Sequence, residues 1–461
     1  MNKSQNQKFL NPLPDCVTLF IKRDRKNIGF KPKYTHNFFG VKETIFGYQN
    51  LSINLSLSPS CSHCFVNYDF DFILKNLSET DCTPYQIQQS IFKHLNEKSI
   101  CKSVEEFNNI CDIEMEGRSN FVPPGECIYE FETKNRKFAI YHCSLKDEKA
   151  RQYIQNIQHF ILWFIDGTKK VPINDSRWHF LLLFEKLPSD KSRKIEKKGK
   201  EKEAIIEIEL GKEMEKEKEK EKEKEKEKEK EKEKEKEKEN ENEKGIKIEQ
   251  EQEQEKEKEK EMEIENLTNQ KPKDYYFSLL GFLNFYNFNM IGNKQRMRVS
   301  HFVMFGPFYD HMIGFKFISQ MFKIGLKNNK VFEITAEDPT PRYQLLRTAY
   351  HFKKFLNLKE MIKKTSITHK DLSYIKKKLK MPTRQVWICF ELINCLNSYI
   401  KTDSTIEKKL KDLLIKKRLE GECDDYMIGD LESRAKKDEG GYKIVFDLVF
   451  QLSKEKQQKN K

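Results

Sequence analysis

Two neighbouring carboxylates, Glu337 and Asp338, stand at the end of the apolar segment VFEITA (331–336), where Pro339 and Pro341 interrupt the chain. This pattern predicts a buried strand that ends in a turn. Like-charge repulsion and desolvation both disfavour the ionised form of a carboxyl group and so raise its pKa. One carboxylate of such a pair is therefore suited to act as a general base. The alternative is that the two residues merely cap the strand and cover a turn.

The segments around this pair predict a domain of mixed helix and sheet. Apolar runs predict strands at 177–186, 275–288 and 298–308, and a helical apolar period predicts a helix at 311–326. With 331–337 as the next strand, this order indicates the α+β class. Glu185 lies at the end of the first of these strands.

Helices and a further α/β region are predicted on either side. The sequence QYIQNIQHFILWFI (152–165) has apolar residues at helical spacing and ends at Asp166-Gly167. After residue 343 the pattern becomes helical and basic, with Thr383 as a candidate N-cap for RQVWICFELINCLNSYI. Residues 16–150 mix short strands with the helical segments YQIQQSIFKHL and VEEFNNI, which suggests a separate α/β domain.

The charge of the chain is unevenly distributed. The net charge is +13, but residues 190–273 hold 27 basic and 31 acidic side chains, so the remaining residues carry +17. Such an excess favours an anionic partner such as nucleic acid, phosphate or a phosphorylated cofactor, although a basic surface also simply keeps a protein soluble. Residues 213–239 alternate Glu and Lys and offer no apolar face. We therefore expect 190–273 to be a low-complexity, disordered insert in a surface loop, or else an interaction tail.

The eleven cysteines follow no regular framework. Cys61 and Cys64 form one CxxC pair without a second pair at zinc-knuckle spacing, so we expect structural thiols rather than a metal site. No run of about 18 apolar residues predicts a membrane span, and the segment MNKSQNQKFLNPLP lacks the apolar core of a signal peptide. These features predict an intracellular protein in a reducing compartment.

Several of these segments occur in the same order in a known family. RVSHFVMFGPF, a helix, and then ITAEDP followed by a tyrosine resemble the type B histone acetyltransferase catalytic subunits, members of the GNAT superfamily of acetyl-CoA-dependent N-acetyltransferases. The similarity continues through FILWFID, RWHFLLLFEK and GFLNFYNF. It also reaches YTHNFFG and ETIFGY (34–48) near the N-terminus and KLKMPTRQVWICFELINCL near the C-terminus, and so covers most of the chain outside 190–273.

The resemblance implies an architecture and an activity. It implies an N-terminal α/β domain at 16–150, a central acetyl-CoA-binding GNAT acetyltransferase domain at 151–189 and 274–345, and a C-terminal helical domain at 346–455. The implied reaction transfers acetyl from acetyl-CoA to lysines of the histone H4 tail by direct attack in a ternary complex, without a metal. The implied partners are histone H4, with H3–H4 complexes, and a WD-repeat histone chaperone subunit, in the nucleus and cytoplasm. No membrane partner and no direct nucleic-acid site is implied.

The resemblance also assigns site residues. It places the general base at Glu337, with Glu185 and Asp338 as acidic assistants in one cleft. It implies that Glu43 binds the substrate, as what remains of an acidic stretch that here reads Val41-Lys42-Glu43. The aromatic pair Tyr286 and Phe288 is also assigned to the substrate, since an aromatic wall can hold the methylene stem of a lysine. Ordinary strand packing is the other explanation for these two rings.

The cofactor-binding candidates lie at the start of the predicted helix 311–326. The superfamily has Gln/Arg-x-x-Gly-x-Gly/Ala there, so that backbone N–H groups meet the pyrophosphate of coenzyme A. This chain retains only Gly314 of that pattern, and Asp310 and Met312 depart from it, which predicts weaker binding. The candidates are Tyr309, Asp310, His311, Met312, Ile313, Gly314 and Phe315, with Phe302, Val303 and Met304 of the preceding strand as backbone partners of the pantetheine arm.

Three functions remain open on the sequence alone. A working lysine acetyltransferase is favoured by ITAEDP. A histone-binding or chromatin-assembly module with weakened or absent catalysis is favoured by the altered loop. The interpretation as a basic nucleic-acid-binding protein rests on charge alone, because the sequence contains no recognisable nucleic-acid-binding motif.

Overall fold

The structure is a computed structural model that describes residues 8–74, 83–193, 273–362, 364 and 366–402. The chain divides into two compact units: Met1–Cys111, Val122–Lys186 and Phe277–Lys461 form the first, and Asp112–Phe121 with Leu187–Tyr276 form the second. The predictions for 194–272, which is most of the insert, and for 403–455 of the C-terminal helical domain lie outside the described residues.

The N-terminal part is built from short elements. Its helices are α1 (Leu13–Cys16), α2 (His36–Phe39), α3 (Pro84–Phe92) and α4 (Val104–Met115). Its strands are β1 (Leu10–Pro12), β2 (Val17–Arg23), β3 (Lys26–Phe30), β4 (Thr44–Phe46), β5 (Tyr48–Gln49), β6 (Ser52–Leu57), β7 (Cys64–Asp69) and β8 (Phe72–Ile73). A four-stranded sheet has the order β3-β2-β6-β7, with β2 parallel to β6, and two small sheets pair β1 with β4 and β5 with β8.

A six-stranded sheet carries the remaining strands. These are β9 (Glu126–Thr133), β10 (Arg136–Ser144), β11 (Trp178–Pro188), β12 (Tyr275–Met290), β13 (Lys294–Met304) and β14 (Val331–Ala336), in the spatial order β14-β13-β12-β11-β10-β9. β14 runs parallel to β13, whereas β12 and β13 are antiparallel. Residues 180–185 of β11 and 276–286 of β12 are all buried, which explains the apolar runs of these two central strands.

The helices that follow in the chain are α5 (Glu148–Ile157), α6 (His159–Phe164), α7 (His311–Lys327), α8 (Pro341–Phe355), α9 (Lys359–Ile362), α10 (His369–Leu379) and α11 (Thr383–Thr402). The α+β class is confirmed. The predicted helix 152–165 is instead two helices that meet at Gln158, and the predicted strand 298–308 ends at Met304, before a 3-10 turn at Gly306–Phe308. β9 and β10 belong to the six-stranded sheet although they lie in the range predicted as the N-terminal domain.

In the second unit, backbone hydrogen bonds join the two ends of the insert. The N–H of Ser189 donates to the carbonyl of Asp274 over 2.9 Å, and the N–H of Lys273 donates to the carbonyl of Gly117 over 3.0 Å. Gly117 has a φ of +74°, and a Cβ there would lie 2.3 Å from the Lys273 carbonyl oxygen. The close approach therefore requires glycine.

Two features bear on the wider class of the protein. No helix in the described ranges is long and apolar enough to span a membrane. Cys61 and Cys64 are buried, and burial raises the pKa of the Cys64 thiol to about 12. Cys64 is therefore suited to packing rather than to reaction as a thiolate. Within the part of the chain that the structure describes, no three His, Cys, Asp or Glu side chains come together as metal ligands.

Candidate active site

The centre of the candidate site is a β-bulge in β13. The register of β13 against β12 skips Ser300, which is the extra residue of the bulge. A bulge bends its strand and re-aims the side chain at that point. The Ser300 hydroxyl donates to Oε2 of Glu337 over 3.0 Å, and the Glu337 N–H donates to the carbonyl of Val299 over 2.8 Å. Glu337 is thus held beside the bulge by both its backbone and its side chain.

β13 and β14 part at the same place. Their pairing ends at Val299 and Ala336, whereas β13 continues to Met304 beside β12. The predicted cofactor residues Phe302, Val303 and Met304 therefore lie on the length of β13 that β14 does not accompany. A strand edge without its neighbour offers backbone N–H and C=O groups to an extended ligand. The predicted contact with a pantetheine arm requires such an edge.

Glu337 and Asp338 are both exposed, and Asp338 has a φ of +34°. The two side chains are therefore not buried, contrary to the expectation from the apolar segment before them. The reason is that β14 is an edge strand, and the turn after it carries both side chains into solvent. Among the described residues, the Glu337 side chain meets a hydroxyl but no cation. The other carboxylate oxygen, Oε1, accepts no hydrogen bond from the described residues.

Glu185 occupies a different kind of site. It lies in β11, is 2% exposed, and accepts one hydrogen bond from Arg23 (2.7 Å) and two from Arg136 (2.7 and 2.8 Å). Burial alone would raise the pKa of Glu185, but the hydrogen bonds and charges of the two arginines outweigh it and hold the pKa below its ordinary value. A carboxylate whose two oxygens are both engaged in this way is a poor proton acceptor.

The strand order separates this residue from the Glu337 pair. β12 and β13 lie between β11 and β14, so at about 4.8 Å per strand their backbones are roughly 14 Å apart. Glu337 and Asp338 are brought together, whereas Glu185 fits the role of a structural anchor better than that of the acidic assistant predicted in the same cleft.

The predicted cofactor loop contains a helix cap. Asp310 is the N-cap of α7, and its Oδ1 accepts from the N–H groups of Met312 (2.8 Å) and Ile313 (3.3 Å). The Lys134 ammonium donates to Oδ2 of the same side chain over 2.7 Å. The backbone groups that the resemblance assigns to a pyrophosphate therefore already hold a carboxylate. In this arrangement they do not fit the diphosphate of coenzyme A.

The residues around this cap pack tightly. The Tyr309 hydroxyl lies 2.9 Å from Nδ1 of His311, and the Arg342 guanidinium lies 3.8 Å from the centre of the Tyr309 ring. Burial raises the pKa of Tyr309 to about 12. A Cβ on Gly314 would lie 2.9 Å from Cδ1 of Leu346, so this glycine lets α8 approach α7. The neighbouring candidates Met312, Ile313 and Phe315 are buried.

Glu43 caps a short helix. Its Oε1 accepts from the Thr35 hydroxyl (2.6 Å), from the Thr35 N–H (3.1 Å) and from the His36 N–H (3.0 Å) at the start of α2. The hydrogen bond from the Thr35 hydroxyl is the main cause that lowers the pKa of Glu43. One oxygen of Glu43 is thus engaged in local structure. Its predicted contact with a histone stays a prediction.

Each ring of the predicted aromatic pair on β12 contacts a guanidinium group. The ring centres of Tyr286 and Phe288 are 4.6 Å apart. The Arg177 guanidinium lies 4.8 Å from the Tyr286 ring, and the Arg298 guanidinium lies 4.8 Å from the Phe288 ring. A substrate lysine at this wall would meet two like charges. The alternative of strand packing fits Tyr286, which is 8% exposed, better than Phe288, which is 37% exposed.

Sequence reasoning missed four residues of this region. Ser300 at the bulge, Arg23 and Arg136 on Glu185, and Lys134 on Asp310 all act through partners distant in the chain. Such pairings leave no local signal. The Asp310 cap did leave one, since Asp directly before an apolar helix is a common N-cap.

Comparison with known proteins found one matching family model and several similar proteins. The family described as "Histone acetyl transferase HAT1 N-terminus" matches residues 13–166. Proteins named histone acetyltransferase type B catalytic subunit are similar to this chain. The one from Rattus norvegicus is 22% identical over 69% of this chain and 56% of its own length. The one from Homo sapiens is 28% identical over 35% of this chain and 38% of its own length. The one from Candida albicans is 22% identical over 98% of this chain and 93% of its own length.

The extent of these matches differs. The chain spans 56% of the rat relative and 38% of the human relative, but 93% of the Candida relative. The resemblance inferred from the sequence motifs is confirmed by these matches.

Proposed function

We propose that this chain, a relative of the histone acetyltransferase type B catalytic subunits, is itself a histone acetyltransferase. In this proposal acetyl-CoA donates the acetyl group to lysine side chains of the histone H4 N-terminal tail within a ternary complex. A GNAT acetyltransferase fold formed by β11 to β14 with α7 is part of the proposal. The observation that carries it is the parting of β13 and β14 at the bulge, where Glu337 is held.

The reaction requires a neutral amine, whereas a lysine with its ordinary pKa of about 10.4 arrives protonated. Glu337 would accept the proton, directly or through a water, because it is exposed and meets no cation among the described residues. The neutral amine nitrogen then forms a bond to the acetyl carbon while the thioester C–S bond breaks. The nitrogen loses a second proton, which passes to the leaving thiolate, so that the products are the neutral amide and coenzyme A as its thiol. Glu337 and Asp338 also supply negative charge that attracts a cationic tail.

The substitution Glu337→Gln tests this role because it keeps the shape and removes the proton acceptor. We expect the chemical step, measured in single turnovers on an H4 tail peptide, to slow by about 10²–10⁴-fold. The affinity for acetyl-CoA, measured by titration calorimetry, should not change. The matched control is Glu333→Gln, a carboxylate of β14 that pairs with Arg296, and its rate should stay near that of the wild type. An unchanged rate in Glu337→Gln would move the assignment to Asp338.

One observation favours a second function. Because Asp310 occupies the first amides of α7, a histone-binding or chromatin-assembly module without effective catalysis is the alternative. If the chain bound the H4 tail but not acetyl-CoA, this result would support the histone-binding module over the enzyme.

The proposed partners are H3–H4 complexes and a WD-repeat histone chaperone subunit, and the proposed locations are the nucleus and the cytoplasm. Affinity purification of the tagged chain from nuclear and cytoplasmic fractions tests both. If histone H4 did not co-purify with the tagged chain, this would argue against histone H4 as the substrate.

A further inference from the structure

We infer that Asp310 is an internal competitor that sets the affinity of this chain for the pyrophosphate of acetyl-CoA. This inference rests on the proposed function and deepens it. The Asp310 carboxylate carries the same sign of charge as the pyrophosphate that it would exclude.

The contacts of Asp310 make the two anions mutually exclusive. Its Oδ1 accepts hydrogen bonds from the N–H groups of Met312 and Ile313. These are two of the amides at a helix start that have no partner within the helix and can bind an anion. A phosphate oxygen can reach these N–H groups only after the carboxylate has left. Both anions cannot share the position because like charges at hydrogen-bonding distance repel.

Lys134 holds the carboxylate in place. It lies in the turn between β9 and β10, where Lys134 and Asn135 have φ values of 52° and 58°, and its side chain is 72% exposed. Burial alone would raise the pKa of Asp310, but the bond from Lys134 and the two backbone amides outweigh it and hold the pKa below its ordinary value. The carboxylate is therefore charged at neutral pH. When it leaves, the Lys134 ammonium becomes free to meet the incoming phosphate.

The test removes the charge and keeps the cap. Asn and Ser both accept hydrogen bonds at an N-cap, so Asp310→Asn and Asp310→Ser should fold like the wild type. We expect each variant to bind acetyl-CoA roughly tenfold more tightly in titration calorimetry, because removing a competing charge at a helix start is worth about a factor of ten. S-acetylpantetheine has the thioester arm but no pyrophosphate, so its affinity should be the same for all three proteins.

A matched control is available in α10. Asp371 also accepts backbone and side-chain hydrogen bonds at a helix start and pairs with a lysine, Lys364. Asp371→Asn should leave the affinity for acetyl-CoA unchanged. A general effect of removing acidic charge would instead tighten binding in this variant as well and would overturn the inference.

A double-mutant cycle tests the part assigned to Lys134. In the wild type Lys134 must leave Asp310 before it can meet phosphate, whereas in Asp310→Asn it is already free. Lys134→Ala should therefore weaken acetyl-CoA binding more in the Asp310→Asn background than in the wild type. Equal losses in the two backgrounds would contradict this coupling.

The outcomes separate the inference from the function. Wild-type affinity in both Asp310 variants, with acetyl-CoA bound by all proteins, overturns the inference and leaves the enzyme proposal standing. Failure of acetyl-CoA and S-acetylpantetheine to bind any of the proteins overturns both.

Discussion

At the residue scale, the buried Glu185 joins three strands, because Arg23 belongs to β2 and Arg136 to β10 while Glu185 itself lies in β11. Removing two charges from water costs several kcal/mol for each ion, and good geometry is needed to offset it. Here both carboxylate oxygens accept from guanidinium groups. The network ties the four-stranded sheet to the six-stranded sheet within the first unit.

The substitution Glu185→Gln should destabilise the protein by about 3–5 kcal/mol, because it removes the carboxylate 2.7 Å from the buried Arg23 and leaves only that of Asp24, 3.9 Å away. Urea unfolding followed by circular dichroism measures this difference. The matched control is Glu130→Gln, whose partner is Lys186 and whose side chain is 56% exposed, and it should cost only about 0–1 kcal/mol. Equal costs for the two variants would mean that the Glu185 network adds nothing beyond a surface pair.

The same network predicts a dependence on pH. The folded-state pKa of Glu185 is lowered, so its stabilisation is fully present above the unfolded-state pKa of about 4.3 and is lost as the pH falls through the lower folded-state value. The difference in unfolding free energy between the wild type and Glu185→Gln should therefore be constant from about pH 6 to pH 8 and shrink below about pH 4. A difference that grows on acidification would contradict the lowered pKa.

At the scale of elements, the predictable features are those with a local cause. β11, β12 and α7 could be predicted from the sequence. The apolar runs of β11 and β12 reflect burial of both faces of the strands, and the helical apolar period of α7 reflects burial of one face. The break of the predicted helix 152–165 at Gln158 could not, since the apolar spacing continues across it. The bulge at Ser300 depends on the register between β12 and β13, which a single strand sequence does not contain.

The pairing of β12 with the unaccompanied end of β13 depends on Gly281. A Cβ at this position would lie 2.3 Å from the carbonyl oxygen of Val303 and 2.9 Å from the Cα of Met304. Gly281→Ala must therefore displace backbone and should cost about 1–3 kcal/mol in urea unfolding. Gly306→Ala is the control, since a Cβ there meets nothing within 4 Å. A Gly281→Ala protein as stable as this control would show that the two strands can shift apart freely.

At the scale of the whole molecule, the candidate site has an acidic and a basic part. The exposed carboxylates Glu337 and Asp338 lie near the middle of β13, where β14 leaves this strand, and Lys134 and Arg342 lie around the start of α7, which follows the end of β13. The acidic part suits a cationic lysine tail and the basic part suits a phosphorylated ligand. This polarity agrees with the proposed transfer between the two, and it is more specific than the net excess of +17 that the composition outside 190–273 predicts.

The Lys/Glu-rich tract should be dispensable for folding, and the described residues on either side of it give the reason. Ser189 and Asp274 are joined by a backbone hydrogen bond of 2.9 Å, so the chain returns to its starting point after the tract. Closing a flexible loop costs only about 0.6 kcal/mol more for each doubling of its length, so shortening it should change stability little. Replacing 194–272 with a linker of about ten Gly and Ser residues should therefore preserve the soluble yield, the thermal unfolding midpoint and the affinity for an H4 tail peptide.

The control deletion also removes Lys273 and Asp274, which breaks the hydrogen bonds to Gly117 and Ser189 and should lower the thermal unfolding midpoint. A loss of soluble protein in the first deletion would show that the tract contributes to the fold.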